Sequence, residues 1–287
     1  SECFFCLEEV FMSVELHHQI SGEGEPLILL HGLFGSLDNL GAIARALQDQ
    51  WQIHALDQRN HGRSAHADTM TYPEMADDVL AYMDAQGLQK ATILGHSMGG
   101  KVAMQLALKA PDRIAGIIVA DISPVTYHPR HDAVLEGLKA VDTAALKSRQ
   151  DADRTLSEYM EEAGVRMFLL KNLMPIPSEE KDDSGARYRW RLNLPVIDRS
   201  YARLAAAPEG DGPYEGPVLF IKGADSPYIQ TKHRETITRL FPNAELQVIE
   251  GAGHLLHAEK PDDFVALCRR FLSDKVRQLK KQSGNIS

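Results

Sequence analysis

One serine in this chain is set up for nucleophilic chemistry. Residues 91–101 read A-T-I-L-G-H-S-M-G-G-K. An apolar, β-branched run ends at Gly95, a G-x-S-x-G turn carries Ser97, and an apolar-periodic stretch follows over 102–109. Strand, tight turn and helix in that order expose a serine hydroxyl at the tip of the turn. The helix behind it aims its positive N-terminal end at the place where negative charge develops. Gly95 and Gly99 fit a turn in which backbone passes close to backbone and a Cβ would collide. A serine hydroxyl is a poor nucleophile at neutral pH, so it needs a base, and the base needs an orienting acid. His254, in G-A-G-H directly after the apolar run 246–249, stands at a strand end and is the candidate base. His233 is expected in a surface helix and His257 at the start of the last helix. His61, His66, His128 and His131 are expected in loops or helices without a chemical part. Asp121, at the end of the run 114–120, and Asp225, just past Gly223, are the candidate acids. Acyl transfer also needs donors for the developing oxyanion. Here H-G-L-F-G (31–35), after the run 27–30, offers the backbone N–H of Leu33, the elbow offers that of Met98, and Phe34 lines the site.

These residues must be held by a sheet. The runs 27–30, 51–56, 91–94 and 114–120 are continuous rather than alternating, which suits strands buried on both faces of a parallel sheet. Helical patterns separate them over 37–47 and 73–86, with Pro73 at a helix start. Residues 14–20 alternate, as a half-buried strand does. The order β-α-β-α-β-α-β indicates a parallel sheet with helices on both faces. The site residues then fall at the carboxyl ends of strands, where such sheets build sites. The pattern changes between 125 and 210, where helical stretches follow one another over 132–141, 152–162, 165–173, 188–193 and 196–206. It resumes with strands at 218–221 and 246–249 and helices at 231–240 and 261–272. The expected organisation is an α/β core over 13–124 and 211–274 and a helical cap over 125–210. Residues 1–12 are set aside as an N-terminal extension, and 275–287 form a basic, polar tail.

Length and charge narrow the function. A chain of 287 residues suits one large α/β domain with an insertion. A net charge of −9 argues against a general nucleic-acid binder, which needs clustered lysine and arginine. No apolar run approaches the ~20 residues of a membrane span. The start, S-E-C-F-F-C-L-E-E-V-F, is acidic and lacks the marks of a signal peptide. Cys3, Cys6 and Cys268 form no disulfide framework, which fits a reducing compartment, and the expected location is cytoplasmic.

Six motifs together resemble the α/β-hydrolases, and among them the YbfF-type bacterial esterases and their ABHD-type eukaryotic relatives. They are H-G-L-F-G-S-L-D-N-L (31–40), D-Q-R-N-H-G-R-S (57–64), G-H-S-M-G-G-K (95–101), D-I-S-P-V (121–125), W-R-L-N-L (190–194) and G-A-G-H-L-L-H-A-E-K-P (251–261). The resemblance spans about 14–272. It implies a serine hydrolase of carboxylic esters or thioesters, with a small-molecule substrate and no cofactor. It treats Asp57 and Arg59 as scaffold. Many α/β-hydrolases carry the acid three residues past the glycine ending the 218–221 strand, where this chain has Ser226. The D-I-S-P match points instead to Asp121 as the residue that orients His254. Tyr188 and Trp190, in an aromatic stretch of the insertion, join Phe34 as candidates for the acyl-pocket wall. The same framework also hosts cofactor-free lyases resembling the menaquinone-pathway synthase, carbon–carbon hydrolases and ligand receptors. Arg187, Arg189 and Arg191 would favour the first of these if they met a substrate carboxylate.

Overall fold

A computed structural model describes residues 13–128, 132–180, 185–210 and 212–276. The N-terminal extension and residues 277–287 of the tail lie outside them. In chain order the elements are β1 (His18–Ser21), β2 (Glu25–Leu30), α1 (Gly41–Leu47), β3 (Trp51–Leu56), α2 (Tyr72–Ala85), β4 (Ala91–His96), α3 (Met98–Lys109) and β5 (Ile114–Ala120). Next come α4 (Asp132–Ala140), α5 (Arg149–Ser157), α6 (Ala163–Leu170), β6 (Leu173–Pro175), β7 (Tyr188–Trp190) and α7 (Leu194–Leu204). The chain then runs through β8 (Val218–Gly223), α8 (Arg234–Leu240), β9 (Ala244–Ile249), α9 (Leu256–Glu259) and α10 (Pro261–Phe271).

The main sheet has the order β1-β3-β2-β4-β5-β8-β9. β1 runs antiparallel to β3 and the other pairs are parallel. Side chains of a strand point alternately to its two faces, and the continuous apolar runs therefore feed two cores at once. Ile28, Leu30, Ile93, Ile117, Val119 and Phe220 enter one cluster with Met75 and Val79 of α2 and Val102 and Leu106 of α3. Leu27, Leu29, Leu94, Ile118, Leu219 and Ile221 enter the other, with Ile43 and Leu47 of α1 and Phe264 and Cys268 of α10. This is the mostly parallel sheet with helices on both faces expected from the order of the runs. Burial also pushes the Cys268 thiol far up, away from reactivity.

Two expected elements differ. Residues 14–17 do not join the sheet, because other partners take their backbone groups. Val14 N–H donates to Asp78 Oδ1 (2.8 Å) and His17 N–H to Ser64 Oγ (2.8 Å). The helix expected over 188–193 is instead β7, antiparallel to β6, with Leu173 opposite Trp190 and Pro175 opposite Tyr188. Tyr-Arg-Trp alternates partly buried, exposed, partly buried, which is the period of a strand. The helical pattern belongs only to the next segment, where Pro195 opens the first turn of α7.

Candidate active site

The sheet order places the chemistry. Ser97 follows β4, Asp121 follows β5, Ser226 lies just past β8 and His254 lies past β9, so successive neighbouring strands deliver these residues to one edge. Ala120 sits opposite Ile221 in the β5–β8 register. Asp121 therefore lands beside Gly223, at the start of the loop that carries Asp225 and Ser226.

Ser97 occupies a turn that its backbone does not favour, with φ 52° and ψ −114°. Strain of this kind costs on the order of 1–3 kcal/mol and persists only where the surroundings enforce it. Ser97 N–H bonds Ala120 O (2.9 Å) and Lys101 N–H bonds Ser97 O (3.0 Å), so the turn is gripped from both sides. A Cβ at Gly95 would strike the backbone of Gly99, and one at Gly99 the backbone of Leu30. Phe34 (φ 62°), Asn60 (φ 64°) and Asp121 (φ 55°) complete the non-glycine positive-φ residues among those described. All three lie past strand ends of the same sheet edge.

Ser97 Oγ lies 3.0 Å from His254 Nε2, and His254 Nδ1 lies 2.7 Å from Asp121 Oδ2. With Nδ1–H donated to the carboxylate, Nε2 is left to accept the serine proton. Asp121 is fully buried, and its charge is met by further donors. Gly223 N–H reaches Oδ1 (3.1 Å) and Ser226 O–H donates to Oδ2. Asp225 is exposed. Its backbone N–H bonds Ala252 O (3.0 Å), and none of the side-chain hydrogen bonds among the described residues ties its carboxylate to His254.

His254 is held on several sides. Tyr228 stacks on its ring at 4.2 Å between centroids. His96 Nε2 lies 2.8 Å from His254 O. The His96 ring also packs against His257 at 4.4 Å. Burial drives the His96 pKa well below its ordinary value and that of His257 down to about 4, so both are neutral spacers.

The H-G-L-F-G loop is pinned on both sides of Phe34. Phe34 N–H donates to His61 Nε2 (3.1 Å), and Asn172 Nδ2–H donates to Phe34 O (2.7 Å). Gly35 N–H closes back to Gly32 O (3.0 Å). His61 in turn places Nδ1 against Arg59 O (2.9 Å), and His31 accepts Gln58 N–H at Nε2 (3.0 Å). The N–H groups of Leu33 and Met98 take no part in the turn and loop backbone hydrogen bonds of the described residues. Asp57 accepts Leu37 N–H (2.7 Å) and Arg63 N–H (2.9 Å), and Arg59 forks onto Asp78 (2.6 and 2.9 Å). Both are buried struts of the neighbouring loop.

Two cavities meet at Ser97. The larger, about 470 Å³, is lined by Phe34, Val134, Val165, Phe168 and Leu169 together with Ser97 and His254. The smaller, about 60 Å³, is ringed by Tyr72, Tyr127, Tyr201 and Tyr228 above Lys101. Leu33 borders both. Tyr188 and Trp190 line neither. They pack against the core from the β6–β7 ribbon, and the apolar wall is built by α4 and α6 instead. Arg187, Arg189 and Arg191 line neither cavity as well, and Arg189 Nη1 pairs with Glu180 (2.5 Å) at the surface.

Three contributors escape a reading of the sequence. His61, expected in a loop without a part, is fully buried and holds Phe34. His233, expected on a surface helix, is buried, with Nδ1 2.9 Å from Ser123 Oγ. Asn172 gives no signal, because its partner lies 138 residues away.

Comparison with known proteins places this arrangement among others. The family model described as "alpha/beta hydrolase fold" matches residues 25–261. Esterase YbfF of Escherichia coli strain K12 is 42% identical over 250 residues, covering 87% of this chain and 93% of that protein. The mouse sn-1-specific diacylglycerol lipase ABHD11 is 38% identical over 255 residues, covering 86% of this chain and 80% of that protein. A solved structure called marine microorganism esterase superposes with a TM-score of 0.86 at 41% identity, covering 91% of this chain and all of that one.

Proposed function

This chain belongs to the α/β-hydrolase family, and on that premise we propose that it hydrolyses carboxylic esters, or thioesters, through an acyl-enzyme on Ser97. The observation that carries the reading is the unbroken chain from Ser97 Oγ to His254 to Asp121, at 3.0 and 2.7 Å. Ser97 Oγ attacks the acyl carbonyl while His254 Nε2 takes its proton. Asp121 fixes the imidazole tautomer and stabilises the imidazolium that forms. The oxyanion receives N–H bonds from Leu33 and Met98, with the α3 N-terminus behind them. Collapse breaks the bond to the leaving oxygen or sulfur, which receives the proton from His254. Water then attacks the acyl-enzyme and gives a proton to His254, and collapse releases the acid as His254 returns that proton to Ser97 Oγ. No cofactor enters any step.

The two cavities divide the substrate. The large apolar cavity accommodates one hydrophobic arm of the ester, and the tyrosine-ringed one takes a small arm. The relatives named esterase and diacylglycerol lipase agree with such a substrate class. The segment 125–210 acts as the cap, because α4 and α6 supply the apolar wall. Hydrolysis of a series of p-nitrophenyl esters of increasing acyl length, by wild type and Ser97→Ala, tests the reading. Turnover by wild type should fall on the order of a million-fold in Ser97→Ala. Absence of turnover across the series, or Ser97→Ala within tenfold of wild type, would overturn it.

A further inference from the structure

Lys101 is a buried lysine with no acidic partner among the described residues. It lies one helical turn beyond Ser97 in α3 and is 1% exposed. Its Nζ donates to Val125 O (2.6 Å) and to Ala206 O, at the two ends of the inserted segment. It also sits over the rings of Tyr127 (5.0 Å) and Tyr72 (5.7 Å). None of the ion pairs among the described residues includes it. Buried charges are otherwise paired or neutralised. Burial alone lowers its pKa to about 7, with no acid opposing the shift. An ammonium has three donors, and two carbonyls use two of them. The smaller cavity, which Lys101 and Ser97 both line, is the open space beside Nζ.

We propose that Lys101 and its tyrosine ring form a subsite for a small carboxylate on the short arm of the substrate. The inference rests on the ester-hydrolase reading and adds the substrate's charge. The cavity holds only a few atoms at about 60 Å³, so the carboxylate stands close to the scissile carbonyl. Tyr201 and Tyr228 also line the subsite, and Tyr72 O–H donates to Leu204 O (2.6 Å) and Tyr127 O–H to Tyr228 O (2.5 Å). A carboxylate bound here would supply the negative charge that holds Lys101 as an ammonium. The apolar arm of the same molecule occupies the larger cavity.

Two kinds of ester present this chemistry. A hexyl half-ester of malonic acid carries the carboxylate on the acyl side, and the hexanoyl ester of glycolic acid carries it on the alcohol side. Each is compared with its carboxamide counterpart, which has the same shape and no charge, by kcat/KM of wild type and Lys101→Met. One of the two acids should exceed its amide by tenfold or more in wild type, and that ratio should fall to one or below in Lys101→Met. Which acid does so identifies the arm. Turnover of both amides with neither acid preferred would overturn the subsite and leave the hydrolase reading standing. Binding is read without turnover by calorimetry of acetate against acetamide on Ser97→Ala. Acetate should bind at least tenfold tighter, and the double variant Ser97→Ala/Lys101→Met should lose that difference. Equal binding of the two probes, or a preference that survives the loss of Lys101, would overturn the subsite. Retained preference for acetate with no ester turned over would overturn only the hydrolase reading. If Lys101→Met does not fold, the wild-type acid-to-amide ratios and the Ser97→Ala titrations decide.

Discussion

Replacing Asp121 by asparagine tests the inner half of the relay with almost no change of shape. The carboxylate accepts from three donors, namely Gly223 N–H, Ser226 O–H and His254 Nδ1–H. An amide supplies one oxygen and one NH₂ group. The oxygen keeps Gly223 N–H on the Oδ1 side, so the NH₂ takes the Oδ2 place, 2.7 Å from His254 Nδ1. Two donors then face each other unless the imidazole moves its proton to Nε2. That tautomer points an N–H at Ser97 Oγ, 3.0 Å away, and has no lone pair there to take the serine proton. The expected loss in kcat is about ten-thousand-fold, equivalent to about 5.4 kcal/mol of barrier. KM should change little, because Asp121 is buried behind the imidazole and touches no cavity. The assay is steady-state hydrolysis of one p-nitrophenyl ester, with thermal melting to confirm folding. Asp225→Asn is the control, and its exposed side chain predicts kcat near wild type. A crippled Asp225→Asn beside a near-normal Asp121→Asn would refute the reasoning.

The support of the site yields two more expected outcomes. Asn172→Ala removes the donor to Phe34 O and frees the loop that carries Leu33 N–H. Loss of one oxyanion donor costs about 10²–10³ in kcat, and a loosened one should cost about tenfold or more with KM within threefold. A raised KM at unchanged kcat would make Asn172 part of the pocket wall instead. Acid should destabilise the fold through histidines buried neutral. Burial lowers His31 to about 4 and His61 to about 3, against the usual 6.5. Between pH 6.5 and 4 the unfolded chain binds protons that the native state does not, so stability falls as pH falls, by up to about 1.4 kcal/mol per pH unit for each group. The dependence fades above about pH 7.5, where the histidines of the unfolded chain are neutral as well. Urea titrations from pH 7.5 to 4.5 should give a falling midpoint, with a shallower slope in His61→Gln, and a flat profile would contradict the burial argument.

The parts of this molecule that are legible in the sequence are local. Continuous apolar runs disclose the parallel strands, because a strand covered on both faces needs apolar residues at both parities. G-H-S-M-G discloses Ser97 because a turn this tight excludes side chains at Gly95 and Gly99. His254 and Asp121 are legible as strand-end residues, and the β5–β8 pairing explains why Asp121 reaches the histidine loop. The hidden parts depend on contacts distant in sequence. Asn172 and Phe34 are 138 residues apart, and His61 and Phe34 are 27 apart. No pattern in either segment announces the partner. Tyr188 and Trp190 are misplaced by sequence alone because an aromatic stretch within a helical region reads as one more helix. Only pairing with Leu173–Pro175 makes it a strand that faces the core rather than the site. Lys101 looks like an ordinary helix residue, and only the fold shows it buried between both ends of the insertion.

The central claim is a covalent acyl-enzyme on Ser97. It is tested most directly by mixing wild-type protein with a p-nitrophenyl ester, quenching in acid within the first turnovers and measuring intact and peptide masses. The account predicts a mass increase equal to the acyl group, confined to the peptide containing Ser97 and absent from Ser97→Ala. Turnover of the ester with no acylated protein under conditions where deacylation is slowed, or an adduct on any other residue that tracks the rate, would contradict it.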